Sequence, residues 1–229
     1  MLARFWLAVA AMVVVVTASN ILVLYPVQVT LGPVNLADLL TWGAFTYPFA
    51  FLVSDLTNRY DGAGAARRVV VIGFVVALAL SFYLSFFPLP WNVEAGPPTT
   101  PRIATASVTA FLIGQLLDIS IFSRLRASKA WFLPPLAGSL FGSLIDTLIF
   151  FTIAFAPALA FVDAIYGRPD GSLGFPAPWL SLGPEVPLWL SLATGDFLVK
   201  FLAALLLLAP YRALMGKLMP LPPRASPAG

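Results

Sequence analysis

Long apolar segments alternate with short, more polar connections along almost the whole chain. Crossing about 30 Å of hydrocarbon takes roughly 20 helical residues, and six of the segments are long enough. We therefore predict membrane-spanning helices near residues 4–25, 38–58, 68–88, 102–123, 134–157 and 187–209. The pattern predicts an all-α integral membrane protein, with a single six-helix domain over residues 1–212 and a proline-rich cytoplasmic tail at 213–229.

The first segment also has features of a signal peptide. Arg4 precedes an apolar run, and Val16-Thr17-Ala18 is similar to a cleavage site. However, the apolar run continues to Tyr25, which is long enough to span the membrane. Removing it would leave five spans and break the alternation of charge described below. We therefore predict a retained helix.

Composition supports membrane insertion and excludes several kinds of chemistry. Of the 229 residues, 60% are hydrophobic and 10% are charged, whereas soluble domains carry about 25% charged residues. The chain has no cysteine and no histidine. Disulfides, cysteine-based metal centres, thiol nucleophiles and Ser-His catalysis are therefore excluded. The net charge of +3 is too small to indicate nucleic-acid binding.

The basic residues indicate an orientation. Ten of them fall at the N-terminus, in alternate connections or in the tail: Arg4, Arg59, Arg67, Arg68, Arg124, Arg126, Lys129, Arg212, Lys217 and Arg224. The opposite side receives only Arg102 and Arg168. Cytoplasmic connections carry an excess of Lys and Arg, so we predict that both termini are cytoplasmic.

Polar side chains at membrane depth are the strongest functional signal. Seven of them lie within the predicted spans: Asn20, Asp55, Gln115, Asp118, Asp146, Asp196 and Lys200. Such groups cost several kcal/mol unless they are paired or face water, so they usually mark a functional site. No closely spaced cluster of acids suggests a bound metal, and no cofactor is expected.

Several of these residues share helical faces with aromatic side chains. Spacings of three and four residues join Ser107, Phe111, Gln115, Asp118 and Phe122 in the fourth predicted helix. The same spacing joins Ser139, Ser143, Asp146 and Phe150 in the fifth, and Trp189, Ala193, Asp196 and Lys200 in the sixth. Residues at this spacing lie on one side of a helix. Three similar faces predict one shared polar cavity.

A short internal repeat joins the fourth and fifth predicted helices. Gly114 to Phe122 matches Gly142 to Phe150 at an offset of 28 residues, with glycine, aspartate and phenylalanine in corresponding positions. The two helices are antiparallel, so the repeat would present similar groups from opposite directions. Gly138-x-x-x-Gly142 is typical of a helix-packing face.

Structural interpretations remain open for several polar residues. Asp196 and Lys200 are spaced to form an ion pair within one helix. Asp55 is close in sequence to Arg59, Arg67 and Arg68, which could hold it in a salt bridge. Asn20 could form a hydrogen bond between helices. Asp118 and Asp146 have no cation nearby on their own helices, which favours a functional role.

Two classes of function fit buried carboxylates. An intramembrane aspartyl protease would carry Gly-x-Gly-Asp, whereas Thr194-Gly195-Asp196 lacks the first glycine. The alternative is transport of a flat, hydrogen-bonding solute. A guanine-like edge offers two adjacent N–H donors, which match the two oxygens of one carboxylate. Its ring can stack on aromatic side chains.

Four stretches and one dipeptide resemble the queuosine-precursor transporters of the vitamin uptake transporter group. They are Thr41 to Thr57, Ala104 to Asp118, Ser139 to Thr147, Asp196 to Lys200, and Ser19-Asn20. The resemblance covers about residues 17–212. One difference is Arg59, where many members of the family have an acid.

The resemblance implies an inner-membrane protein with a fold similar to the substrate-binding components of energy-coupling-factor transporters. It implies import of a 7-deazaguanine base such as preQ0, preQ1 or queuine, with a possible homodimer and no nucleic-acid partner. We expect substrate contacts from Asn20, Trp42, Phe45, Asp55, Phe111, Gln115, Asp118, Asp146, Asp196 and Lys200. Asp118 or Asp146 would bind the N1–H and amine edge. The alternative is a substrate-capture subunit that needs an ATP-driven partner.

Overall fold

The computed structural model describes residues 2–218 except 33, 37 and 38. Five helices in this part of the chain are long and apolar enough to cross a membrane. They are α1 (Leu2–Leu22), α4 (Ala63–Phe86), α5 (Pro101–Leu125), α6 (Leu133–Phe155) and α8 (Leu188–Leu218). The prediction of an all-α membrane protein is confirmed, and these helices lie close to five of the six predicted spans.

The prediction of one long helix at residues 38–58 is wrong. The structure has a short helix α2 (Gly43–Thr46) and a helix α3 (Pro48–Asp61), joined at Tyr47. Pro48 has no backbone N–H to donate and is suited to the first position of a helix, so α3 begins there. With 14 residues, α3 is shorter than the roughly 20 residues that span a bilayer. Its second half is polar and buried within the bundle.

Local signals in the sequence account for several helix ends. The hydroxyl of Thr100 accepts a hydrogen bond from the backbone N–H of Ile103 and caps α5 at its N-terminus. Gly62 lies between α3 and α4 with a φ of 85°, a conformation that favours glycine. At the other end of the chain, α8 continues through Pro210 to Leu218, beyond the predicted domain limit at 212. The rest of the predicted tail, 219–229, lies outside the described residues.

The antiparallel pair α5 and α6 forms the centre of the bundle. Gly114 of α5 and Gly142 of α6 allow this close approach, because a Cβ added to either would lie about 3 Å from the backbone oxygen of the other. An added Cβ on Gly114 would also meet Asp146, and one on Gly142 would meet Asp118. The two repeated segments therefore contact each other in a nearly symmetric way, and the glycines serve helix packing.

The connections at one end of the bundle contain short ordered elements. After α1, strands β1 (Thr30–Leu31) and β2 (Val34–Asn35) form a hairpin. After α6 come α7 (Phe161–Ile165) and a second hairpin, β3 (Pro176–Pro178) with β4 (Glu185–Pro187). The opposite end has shorter connections and carries most of the basic residues. This asymmetry puts the longer connections beside the site described next.

Candidate functional site

A cavity of about 600 Å³ lies within the half of the bundle that carries the long connections. Its wall comes from the C-terminal halves of α1, α4 and α6, from the N-terminal halves of α5 and α8, and from α2 with the joint at Tyr47. The polar side chains that line it are Ser19, Asn20, Thr41, Tyr47, Ser81, Thr99, Ser107, Asp146, Asp196 and Lys200. The volume falls within the usual range for small-molecule sites.

Three charged side chains meet on the wall of this cavity, and we name Asp146, Asp196 and Lys200 the cavity triad. The Nζ atom of Lys200 lies 2.7 Å from Asp146 Oδ2 and 2.6 Å from Asp196 Oδ2. The side chains of Lys200 and Asp146 are each 6% exposed, and that of Asp196 is 15% exposed. Two carboxylates share one ammonium group, so the triad has a formal charge of −1 when all three groups are ionised.

Two neutral side chains complete the hydrogen bonding of the triad. The Tyr47 hydroxyl donates to Asp146 Oδ1 at 2.8 Å, and the Tyr47 ring lies 5.0 Å from Lys200 Nζ. The Thr147 hydroxyl donates to Asp196 Oδ2 at 2.8 Å. The predicted ion pair between Asp196 and Lys200 is thus present, but it is one part of a larger network that joins α6, α8 and the α2–α3 junction at Tyr47.

Sequence reasoning did not select Tyr47 or Thr147. Tyr47 lies immediately before Pro48, at the junction of α2 and α3, and Thr147 follows Asp146 directly. A tyrosine before a helix-starting proline and a threonine beside a buried acid are local signals that could have drawn attention to both. Their partners, however, lie on other helices and depend on the tertiary fold.

The other side of the cavity presents an amide and aromatic rings. Asn20 donates from Nδ2 to the Val16 carbonyl at 3.0 Å and accepts from the Ser81 hydroxyl at 2.7 Å. The possible role of Asn20 in linking helices is therefore present, while its side chain also lines the cavity. Phe111 lines the cavity as well, and its ring centroid is 6.2 Å from that of Tyr47.

Five of the ten predicted site residues line the cavity, and five do not. Those at the cavity are Asn20, Phe111, Asp146, Asp196 and Lys200. The prediction that the three polar faces meet in one cavity is wrong for Gln115 and Asp118, and Asp55, which is on none of those faces, does not line the cavity either. Ser107 and Asp118 do share a face of α5, but eleven residues separate them by roughly 16 Å along the helix axis. The cavity reaches only the first part of that face.

Trp42 and Phe45 also lie outside the cavity lining. These residues are 47% and 39% exposed, and their ring centroids are 5.8 Å apart. Trp42 precedes α2 directly and Phe45 is within it. The short α2 therefore turns these two rings away from the cavity while Gly43 and Ala44 face it. A role of either ring in substrate binding stays a prediction.

Asp55, Gln115 and Asp118 are buried in the adjoining half of the bundle, where α3, α5 and α6 pack together. Asp118 accepts a hydrogen bond from Ser54, and Asp55 accepts one from Ser139. In the described part of the chain, Asp55 forms no salt bridge with an arginine. The salt-bridge interpretation of Asp55 is therefore wrong.

The bundle end opposite the cavity is held together by hydrogen bonds between basic connections. Arg59 donates to the carbonyl of Arg126 at 3.2 Å, and Arg126 donates to the carbonyl of Arg59 at 2.6 Å. Tyr60 donates to the carbonyl of Leu214 at 3.1 Å. Arg59 thus joins α3 to the end of α5.

A buried arginine anchors the long connection between α6 and α8. Arg102 is 1% exposed, and its guanidinium donates to Asp163 at 2.7 Å and to the carbonyls of Ile153 and Ala156. Hydrogen bonds from Ser172 lower the pKa of the exposed Asp170, which lies 3.7 Å from Arg102. The sequence placed Arg102 at the start of a predicted span and indicated no partner for it, because its partners are more than 50 residues away.

The chain is similar in sequence to a known protein family and to named relatives. Residues 41–214 match the vitamin uptake transporter family. The chain is 43% identical over 159 residues to the "Queuosine precursor transporter" of Escherichia coli, covering 67% of this chain and 69% of that protein.

Two further relatives carry the name "Probable queuosine precursor transporter". The protein from Haemophilus influenzae is 36% identical, covering 70% of this chain and 72% of its own. The protein from Bacillus subtilis is 27% identical, covering 81% and 76%. No solved structure matches the chain. The family match and the first two relatives together establish that this chain belongs to the vitamin uptake transporter family.

Proposed function

We propose that this protein imports a queuosine precursor, a 7-deazaguanine base such as preQ0 or preQ1, through the cavity described above. The observation that carries the proposal is the cavity triad on the wall of a space large enough for such a base. The names of the relatives support the substrate class. Transport also accounts for a charged network that is retained at membrane depth despite its cost.

Asp146 is the proposed partner of the guanine-like edge. Asp146 Oδ1 accepts a hydrogen bond from Tyr47, and Asp146 Oδ2 accepts one from Lys200. Each carboxylate oxygen can accept a second hydrogen bond. The two oxygens can therefore accept the N1–H and the exocyclic amine of the base side by side. Asp118 was the other candidate for this role, but it does not line the cavity.

The remaining contacts follow from the same wall. Asn20 has a second N–H that can donate to the carbonyl of the base, and the ammonium of Lys200 lies beside the proposed edge. Phe111 offers a ring face or edge to the heterocycle. Base stacking on an aromatic side chain is worth about 1–3 kcal/mol in nucleic-acid complexes.

The distribution of basic residues supports an orientation for import. We propose that α2 and α3 together form a sixth crossing of the inner membrane and that both termini are cytoplasmic. The cavity then faces the outer side, because it lies at the end opposite Arg59 and Arg126. The absence of native cysteine simplifies a test. A cysteine at Glu94 should react with a membrane-impermeant maleimide in intact cells, and one at Arg67 should not.

The proposed function is tested by uptake of preQ0 in cells that are unable to synthesise it. We expect wild-type protein to restore queuosine in tRNA when preQ0 is supplied, and Asp146→Asn to reduce initial uptake at least tenfold. The tenfold loss corresponds to about 1.4 kcal/mol, less than one charge-assisted hydrogen bond.

The matched control is Glu94→Gln, an acid-to-amide change at an exposed residue of the outer connection. It should leave uptake unchanged. Uptake by Asp146→Asn at the wild-type rate would overturn the proposed recognition. The transport proposal itself would be overturned if cells that contain folded wild-type protein in the membrane took up no preQ0.

A further inference from the structure

Two acids outside the cavity are buried without any cation. We name Asp55 of α3 and Asp118 of α5 the carboxylate pair; they are 2% and 0% exposed. Asp55 Oδ2 accepts a hydrogen bond from the Ser139 hydroxyl at 3.4 Å, and Asp118 Oδ2 accepts one from the Ser54 hydroxyl at 3.1 Å. In each, the buried Oδ1 has no hydrogen-bond partner. A buried polar atom without a partner normally calls for an explanation.

Contacts with α6 bring the pair together. A Cβ added to Gly138 would lie 2.5 Å from Asp118 Oδ1, while the next residue, Ser139, donates to Asp55. Gln115 lies one helical turn before Asp118, is fully buried, and has no partner for either its nitrogen or its oxygen. An unpartnered amide one helical turn from an incompletely bonded acid indicates that a bound species belongs here.

A small space next to Asp55 connects this region with the triad. Its volume is about 10 Å³, enough for roughly one water molecule. Ser139 and Ser143 of α6 and Lys200 and Tyr211 of α8 also line it. Lys200 lines both this space and the large cavity. Within the carboxylate pair, Asp55 is therefore one side chain, that of Lys200, away from the proposed substrate site.

The balance of charge in the bundle requires a cation. Four acids of the predicted spans are set against a single ammonium, so a formal charge of −3 would remain if all were ionised. Each uncompensated ion costs several kcal/mol at such a depth. Besides the pair itself, the charged and titratable groups on the packed helices are Asp196, Lys200, Tyr211, Arg212 and Lys217 on α8, Asp146 on α6, Arg59, Tyr60 and Asp61 on α3, Arg102 and Arg124 on α5, Arg4 on α1, and Arg67, Arg68 and Tyr83 on α4.

None of these arginines reaches the pair. Arg59 donates to the Arg126 carbonyl, Arg4 lies 3.6 Å from Asp61, and Arg212 lies over the ring of Trp131. We propose that the carboxylate pair carries one proton across the membrane with each imported substrate molecule. This inference rests on the proposed transport function.

A proton fits the site better than a metal ion does. No group of three or more acidic residues suited to a metal occurs in the described part of the chain. The space beside Asp55 is also too small for a hydrated ion. In the proposed cycle, a hydronium ion in the cavity water gives its proton to one carboxylate oxygen of the pair. One O–H bond of the hydronium breaks and leaves water, and the O–H bond of the neutral acid forms. At the basic end this O–H bond breaks, and the proton forms hydronium on another water molecule.

The test uses purified full-length protein in proteoliposomes that contain a pH-sensitive dye. The substrate is preQ0, whose nitrile carries no charge, so any acidification reports protons. Adding preQ0 outside should acidify the lumen. With an inward gradient of one pH unit, preQ0 should accumulate up to about tenfold, since one proton per substrate supplies about 1.4 kcal/mol. A protonophore should abolish the accumulation.

Variants locate the proton. Asp55→Asn and Asp118→Asn should each lose accumulation, so that the internal and external concentrations of preQ0 become equal, while Glu94→Gln should accumulate it as wild type does. The inference would be overturned, while the transport function would stand, by any of three results for wild type. These are uptake that stops when the internal and external concentrations of preQ0 are equal, uptake that depends on sodium, and uptake that leaves the lumen pH unchanged. Proton-driven accumulation by both amide variants would also overturn it. Absence of any wild-type uptake would instead overturn the proposed function.

Discussion

Replacing Lys200 with methionine removes the only ammonium group of the cavity triad. Methionine keeps the length of the aliphatic chain, so the change acts mainly on charge and hydrogen bonding. Asp146 and Asp196 then remain on the cavity wall without their shared cation, although Tyr47 and Thr147 still donate to them. The variant therefore measures how strongly the triad depends on its cation.

The expected cost follows from the contacts that are lost. Lys200 donates a charge-assisted hydrogen bond to Asp146 at 2.7 Å, worth about 1.5–3 kcal/mol, and forms an ion pair with Asp196 at 2.6 Å. Removing one partner of a buried ion pair costs about 3–5 kcal/mol. Because Asp196 is 15% exposed and can reach water, we expect the lower end of that range, about 3 kcal/mol in the free energy of unfolding.

Unfolding by detergent titration in mixed micelles, followed by far-ultraviolet circular dichroism, measures this difference. The matched control is Lys129→Met, since Lys129 is exposed; surface changes of this kind usually fall within about 0.5 kcal/mol of wild type. Adding Asp146→Asn to Lys200→Met should recover part of the loss, with a coupling energy of about 1–3 kcal/mol. A Lys200→Met variant within 1 kcal/mol of wild type, or purely additive effects, would refute this account of the triad.

Two further substitutions test the packing that positions the site. Gly114→Ala should destabilise the protein by about 1–3 kcal/mol in the same titration, because the new Cβ would lie 3.0 Å from the Gly142 carbonyl. The control is Gly64→Ala, which should be neutral or slightly stabilising because an added Cβ there would have nothing within 4 Å. Equal effects of the two substitutions would contradict the packing argument. Arg102→Met should make the connection before β3 at least tenfold more sensitive to limited proteolysis, because the buried ion pair costs about 3–5 kcal/mol to break. Asp170→Asn should leave proteolysis nearly unchanged, and an equal effect of these two changes would disprove the anchoring role of Arg102.

The fold was largely predictable because the length of an apolar run directly limits what can cross a bilayer. Five predicted spans agree with helices of the structure to within a few residues at most ends. The second predicted span, 38–58, does not agree with the structure. Its C-terminal part is the shorter helix α3, in which Ser54, Asp55, Thr57 and Asn58 are buried and contacts with neighbouring helices offset their polarity. Hydropathy depends on residue type alone and gives no information about those contacts. The local signal for the break is Pro48, which is the first residue of α3.

The sequence predicted the types of residue at the site, but not the position of the cavity along the helices. Residue spacing fixes the angle at which Phe111 and Asp118 leave α5, which is why both were placed on one face. It does not fix where along that face the neighbouring helices leave a space. The cavity ends before Asp118, and the network around Asp146 includes Tyr47, whose hydroxyl reaches across 99 positions of the sequence. Such distances are set by tertiary packing.

The most direct test of the central claim is a structure of the protein with preQ0 bound. The account predicts density for the base in the large cavity, with its amine edge within 3.2 Å of Asp146 and its ring against Phe111. Density elsewhere, above all beside Asp118 with the large cavity empty, would contradict it.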